Sequence, residues 1–267
     1  MPTLELTELA LHFEDSGAGP PVLLLHGLGS SGRDWNLVTP GLVAGHRLLV
    51  PDVRGHGRSG KPAGAYSIPL FARDIAALCD HLGLTALHVV GVSMGGMIGF
   101  QLAVDRPELV RSLVVINSGP DMVPRTARMW LALKLRVALL RLLGPAQLGR
   151  LLAKRLFPKP GQGELRQRFQ ASIGENDPDA YLRATQGLIG WTVLDRLAEV
   201  RCPVLCLASD HDYTPLSAKQ AYVRLLKDAQ LLQVNDSGHA APVDQPAQVI
   251  AAITSFVRAI EARGSAA

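Results

Sequence analysis

From Leu4 to Glu14 apolar and polar residues alternate, a period of two that predicts a β-hairpin. Two short apolar runs follow, Pro21-Val-Leu-Leu-Leu-His26 and Arg47-Leu-Leu-Val-Pro51, which read as strands buried on both faces, with a helical stretch between them. The period then changes. Ser67 stands as an N-cap before Ile68, Phe71, Ile75, Leu78 and Leu82, which share one helical face, and Gly83 closes that helix. Ala86-Leu-His-Val-Val90 reads as another buried strand and Met97 to Val104 as a helix. Arg111-Ser-Leu-Val-Val-Ile116, Pro203-Val-Leu-Cys-Leu207 and Leu231-Leu-Gln-Val234 continue the series, and Val249, Ile250, Ile253, Phe256, Val257 and Ile260 mark a last helix.

Repeated β-α units predict an α/β fold, a mostly parallel sheet with helices on both faces. In such sheets, function collects beyond the carboxyl ends of the strands. One gap interrupts the series. Residues 120–200 show no strand-like alternation and read as several helices, so residues 1–119 and 201–267 are expected to form the core and 120–200 a helical cap inserted over the strand ends. Met129 to Leu143 is apolar almost all round, which predicts burial on several sides or an acyl-binding wall. Farther on, Leu148, Leu151, Leu152 and Leu156 form one face with Gln147, Arg150 and Lys154 opposite.

Composition narrows the classes. At 267 residues, 48% hydrophobic and 19% charged, the chain suffices for one large core, and no Pro/Gly/Ser-rich linker divides it. No run of about 18 residues is continuously apolar as a membrane span requires: the long uncharged stretch 81–104 is broken by Thr85, His88, Ser93 and Gln101 and by several glycines. The opening Met1-Pro-Thr-Leu-Glu-Leu-Thr-Glu has acids where an export signal carries a basic stretch, so a cytoplasmic location is expected. Cys79, Cys202 and Cys206 read as core residues, since four positions along one strand separate the latter pair too far to bridge. The net charge of +4 comes with only 5% aromatics and no recognisable reader module, which argues against nucleic acid as a partner. Arg263-Gly-Ser-Ala-Ala is expected to be a disordered tail. Met122 to Pro160 carries nine basic residues and no acid. The preferred reading is a lid with a solvated basic face; a membrane-surface or anionic-substrate site is the less favoured one.

The chemistry centres on Gly91-Val-Ser-Met-Gly-Gly96, between a strand and a helix. A serine on so tight a turn is forced into strained backbone angles, and only glycines at its flanks let strand and helix approach. The strain lifts the Ser93 hydroxyl out of the sheet and aims the N–H of Met94 at the place where negative charge would develop. Serine needs a base, oriented in turn by a carboxylate. On a strand-to-helix elbow the chain order is serine, acid, histidine, and only His211 and His239 follow Ser93. His211 lies on the segment that should supply the acid, whereas His239 lies on a loop after the last strand, so His239 is the expected base. For the acid, Asp212 falls where the loop has cleared the sheet; Asp210 is the runner-up and Asp121 a third candidate. His26-Gly-Leu-Gly29 places the N–H of Leu28 as a second oxyanion donor, with His26 packed or hydrogen-bonded beneath the site.

Taken together, His26-Gly-Leu-Gly29, Asp52-Val-Arg-Gly-His-Gly-Arg-Ser59, Gly91-Val-Ser-Met-Gly-Gly96, the Asp212 segment and Gly238-His239 resemble the α/β-hydrolase superfamily across essentially the whole chain. The resemblance implies an eight-stranded, mostly parallel sheet with a helical cap, structural roles for Asp52 and Arg54, and ester or lactone hydrolysis through an acyl-enzyme on Ser93, with His239 as general base and acid. It implies a small-molecule substrate and neither metal nor organic cofactor. A serine nucleophile is unlike the dehalogenase and epoxide-hydrolase branches and similar to serine esterases and enol-lactone hydrolases. C–C bond hydrolases, thioesterases and perhydrolases use the same constellation, and a non-catalytic ligand receptor of the same fold is the rival from another class.

Overall fold

The expected hairpin is formed by β1 (Thr3–Leu6) and β2 (Leu9–Ser16), paired antiparallel with Leu4 opposite Leu11. In the computed structural model, which describes residues 3–264, β3 (Pro21–Leu25) follows, then a 3₁₀ turn over Gly32–Trp35 and the single-turn α1 (Thr39–Leu42). The helical stretch expected here is thus broken in two. β4 (Arg47–Pro51) leads to α2 (Ile68–His81), whose first turn is capped by Ser67 Oγ accepting the Leu70 N–H at 3.3 Å, and which gives way at Gly83, in the left-handed region at φ +65°.

Next come β5 (Leu87–Val92), α3 (Met94–Asp105) and β6 (Val110–Ile116). Helix α3 starts three residues earlier than its hydrophobic pattern suggests, because packing of Gly95 and Gly96 overrides their poor helix propensity. The chain then makes α4 (Ala127–Leu156), α5 (Gly163–Gly174) and α6 (Pro178–Leu188), and a 3₁₀ segment over Leu194–Glu199. It returns through β7 (Val204–Ser209), α7 (Leu216–Val223), β8 (Ala229–Val234), α8 (Ala241–Asp244) and α9 (Pro246–Gly264). Arg263 and Gly264, expected in a tail, are the last residues of α9; positions 265–267 lie outside the described residues.

The strands form one eight-stranded sheet in the order β1-β2-β4-β3-β5-β6-β7-β8, parallel from β4 to β8. Alternate residues of its central strands enter different cores. Leu23, Val89 and Leu113 pack with Phe71 and Ile75 of α2 and Ile98 of α3, whereas Leu24, Val90 and Val114 pack with Val249, Ile253 and Val257 of α9. Each fully buried aliphatic side chain contributes about 1.5–3 kcal/mol, so both faces hold the sheet rigid beneath the loops at its carboxyl edge. All three cysteines are buried and free.

Helices α4–α6 occupy the interval between β6 and β7 and have a small core of their own, Leu140, Leu148, Ile173 and Tyr181. The two connections to this insertion run side by side: Met122 N–H donates to Trp191 O at 2.7 Å, and Asp121 bridges Thr192. Helix α4 breaks at Gly144, which takes φ +74° before Pro145. Its first half contradicts the expectation of burial on several sides: Met129, Trp130, Leu131, Leu135, Leu142 and Leu143 are all exposed. A hydrophobic run without clear periodicity cannot tell a helix surrounded by protein from one that touches protein along a single edge. Leu151, assigned to the apolar face of the second half, is exposed as well, while Leu148 is buried. No helix among the described residues is long and apolar enough to cross a membrane.

Candidate functional site

Ser93 occupies the junction between β5 and α3 with φ +53° and ψ −115°, a conformation that L-residues rarely adopt. The flanking glycines explain how it is tolerated. A Cβ on Gly91 would fall 2.2 Å from the Gly95 carbonyl oxygen, and one on Gly95 would fall 2.1 Å from that of Leu25. No side chain fits at either position. Ser93 N–H donates to Ile116 O at 3.0 Å and Ser118 Oγ donates to Ser93 O at 2.6 Å, so β6 clamps the turn from one side. Met94 opens α3, and its N–H is one of the first-turn donors with no partner inside the helix. On the other side, a Cβ on Gly27 would lie 3.7 Å from that of Ser93, and the N–H of neighbouring Leu28 has no acceptor among the described residues.

Asp212 and His239 lie on the loops after β7 and β8, and the structure brings them together: His239 Nδ1 donates to Asp212 Oδ1 at 2.7 Å. The carboxylate is fully buried, and burial opposes its charge, yet its hydrogen bonds to His239, Lys219 and Thr214 outweigh that and hold it down at about 2. Its other oxygen accepts from Lys219 Nζ at 2.5 Å and from Thr214 Oγ1. Lys219, on α7, spends its remaining donors on Thr214 O and Oγ1 and is almost wholly buried. This second half of the carboxylate's surroundings is invisible in the sequence, where Lys219 reads as an ordinary helix-surface lysine.

The rival acids stand elsewhere. Asp210 accepts the N–H groups of Asp236 and Ser237 at 2.8 and 2.9 Å, pinning the loop that carries His239 rather than touching the ring. Asp121 pairs with Arg125 at 3.1 Å on the insertion. Asn117, missed by sequence reasoning, ties three strand ends together: Nδ2 donates to the carbonyls of Gly238 and His239, and Oδ1 accepts the Ser209 N–H. Its backbone is left-handed at φ +47°, the one signal, an asparagine directly after a buried strand, that could have marked it. Asn117 thus holds His239, while the next residue, Ser118, holds Ser93.

His26 sits beneath the site as expected, its Nδ1–H donating to Gly27 O and its Nε2 accepting the Val53 N–H. Asp52 accepts the N–H groups of Gly32 and Arg58, and Arg54 makes a buried two-pronged pair with Asp74, both bonds 2.7 Å. Among the described residues no group of histidine, cysteine and acidic side chains is arranged to hold a metal ion.

One contact was not foreseen. The Tyr213 ring lies on that of His239, centroids 4.3 Å apart, and its hydroxyl is 3.1 Å from Nε2. Arg155 of α4 also lies over Tyr213, its guanidinium 4.8 Å from the ring centre. Ser93 Oγ itself has no hydrogen-bond partner among the described residues.

The model of the α/β hydrolase fold matches residues 20–246. A RutD protein of Variovorax paradoxus, whose name assigns it carbamate hydrolysis provisionally, is 32% identical over 266 residues, covering 96% of this chain and 99% of its own. Among solved structures, a thermophilic esterase from Thermogutta terrifontis superposes with a TM-score of 0.88 at 27% identity, covering 97% of this chain and 99% of its own. Est816, described as an N-acyl homoserine lactone degrading enzyme, superposes with a TM-score of 0.84 at 26% identity over 96% of this chain and all of its own. With the sheet order, the strained serine elbow and the match over residues 20–246, the chain belongs to the α/β-hydrolase family.

Proposed function

We propose that this α/β hydrolase cleaves a carboxylic ester or lactone through an acyl-enzyme on Ser93. The observation that carries the reading is the 2.7 Å bond between His239 Nδ1 and the buried Asp212, with Ser93 lifted on its elbow at the same end of the sheet. Asp212 fixes the ring with its proton on Nδ1, which leaves the Nε2 lone pair to take the Ser93 proton. The serine oxygen then adds to the substrate carbonyl. Negative charge on the carbonyl oxygen is met by the N–H groups of Met94 and Leu28, each donor worth about 3 kcal/mol of barrier. His239 returns the proton to the leaving oxygen, the C–O bond breaks, and water repeats the sequence to free the acid and restore Ser93. In a lactone the leaving oxygen stays tethered to the acyl chain.

The relative named for carbamate hydrolysis favours one second reading, attack on a carbamate carbonyl by the same residues. The helices over residues 120–200 would act as the cap that selects among these substrates. Ser93→Ala should abolish turnover of activated short-chain esters and labelling by a fluorophosphonate, with the fold intact by circular dichroism; retained labelling would overturn the assignment. A panel of esters, lactones and carbamates run beside that variant identifies the carbonyl class.

A further inference from the structure

The first half of α4, Ala127 to Leu143, presents an apolar stripe to solvent. Leu131, Leu135 and Leu142 stand 68%, 55% and 80% exposed. With Ala138 they follow the spacing i, i+4, i+7, i+11 and so line one side of the helix. The opposite side, through Leu140, packs into the insertion. Solvent-facing leucines in a row of this length are costly in water, and their borders are specific. Helical geometry puts Arg128 along one edge of the stripe and Lys134 and Arg141 along the other. None of these three cations pairs with a carboxylate among the described residues, and Met122 to Pro160 contains no acid that could. Apolar centre, cationic edges and a helix lying along the molecular surface are the physical description of an interfacial helix.

We infer that this half of α4 docks on an anionic lipid surface, leucines in the acyl boundary and cations among the headgroups. Charge decides between this occupant and a second copy of the chain. A two-fold contact through the stripe would press its cations against their own counterparts with no acid in the segment to relieve them. An anionic bilayer pairs all of them. The inference is independent of which carbonyl the enzyme hydrolyses.

The test is flotation of the full chain with phosphatidylglycerol-containing vesicles and with phosphatidylcholine vesicles. The protein should float with the first and not the second, and should be released by added salt, since headgroup attraction is screened over a Debye length. Losing a basic residue near the surface lowers partitioning about fivefold, so Lys134→Gln with Arg141→Gln should weaken it about 25-fold. Leu131→Glu with Leu142→Glu should abolish it without altering circular dichroism. Trp130, beside the stripe, is 48% exposed whereas Trp35 and Trp191 are buried, so a blue shift of tryptophan emission on adding anionic vesicles reports docking of this helix. Failure to float with anionic vesicles, or flotation of the Leu131→Glu/Leu142→Glu variant equal to that of the parent, would overturn the inference. So would a dimer in sedimentation equilibrium that this variant converts to monomer.

Discussion

The Tyr213 hydroxyl lies 3.1 Å from Nε2 of His239, the one imidazole nitrogen that Asp212 leaves uncommitted. Because Nδ1 carries the proton donated to Asp212, Nε2 is an acceptor and Tyr213 the donor. The same lone pair is the one proposed to take the Ser93 proton, so the tyrosine and the serine compete for it. Arg155 holds Tyr213 from the insertion side, which makes the competition sensitive to how the helices above are seated.

Tyr213→Phe keeps the ring against His239 and removes the competing donor. A hydrogen bond of this kind is worth about 0.5–1.5 kcal/mol net, and kcat on a small soluble ester should rise roughly two- to tenfold. Steady-state kinetics with KM and kcat separated check this; a fall in kcat would show that the hydroxyl supports the productive ring position instead.

The two aspartates of the β7 loop should separate sharply. Asp212→Asn loses the charge behind His239 and the preference for its proton on Nδ1, and kcat should fall by about 10⁴ with stability still measurable. Asp210→Asn touches only the backbone of Asp236 and Ser237, and should cost about 1–2 kcal/mol of stability with a far smaller loss of activity. Equal losses from the two variants would sink the assignment of Asp212.

Much of this arrangement is legible in the chain, and the remainder is hidden for definite reasons. Buried parallel strands announce themselves as short apolar runs, and chain order with strand ends points to Asp212 and His239, which the structure pairs at 2.7 Å, though chain order alone leaves Asp210 and Asp121 as rival acids. Asn117 is not legible, because its partners are more than 90 residues away and become neighbours only when β6, β7 and β8 are laid side by side; Lys219 is not, because only the turn from β7 into α7 folds its ammonium back onto Asp212, 7 residues earlier. Tyr213 adjoins Asp212 in sequence, yet nothing in its identity says that its ring turns onto His239. The first half of α4 misleads for another reason: from Met129 to Leu143 its pattern is apolar almost all round, and the amount of protein around it is a property of the fold.

Lys219→Met tests how much of the Asp212 position rests on the buried pair. Removing one member of such a pair leaves the other charge uncompensated, a loss of about 3–5 kcal/mol. The urea midpoint should drop accordingly, and kcat should drop with it, since His239 and Thr214 alone then hold the carboxylate. Unchanged stability would mean that the pair does no more than offset its own desolvation.

His56 gives the fold an acid-sensitive element apart from the proposed reaction. Its ring is fully buried, Nδ1 bonded to Arg54 O at 2.9 Å and Nε2 without a hydrogen-bond partner among the described residues, edge-on to His26 and Phe71. Burial, reinforced by the nearby His26, pushes its pKa from 6.5 down to about 3. Between these values the unfolded chain binds a proton that the folded chain refuses, so the contribution is whole above about pH 6.5 and is lost as pH falls toward 3. From pH 7 to 4.5 this one group should remove about 2–3 kcal/mol. Asp212 adds its own loss only lower, between its usual 3.8 and about 2. His56→Phe preserves the ring contacts and gives up the Arg54 bond, costing about 1 kcal/mol at pH 7, but it cannot take up the proton. Urea unfolding at both pH values should therefore show a smaller acid loss for the variant, with its stability at pH 4.5 equal to or above the parent's. An identical drop in the two proteins would place the acid sensitivity elsewhere.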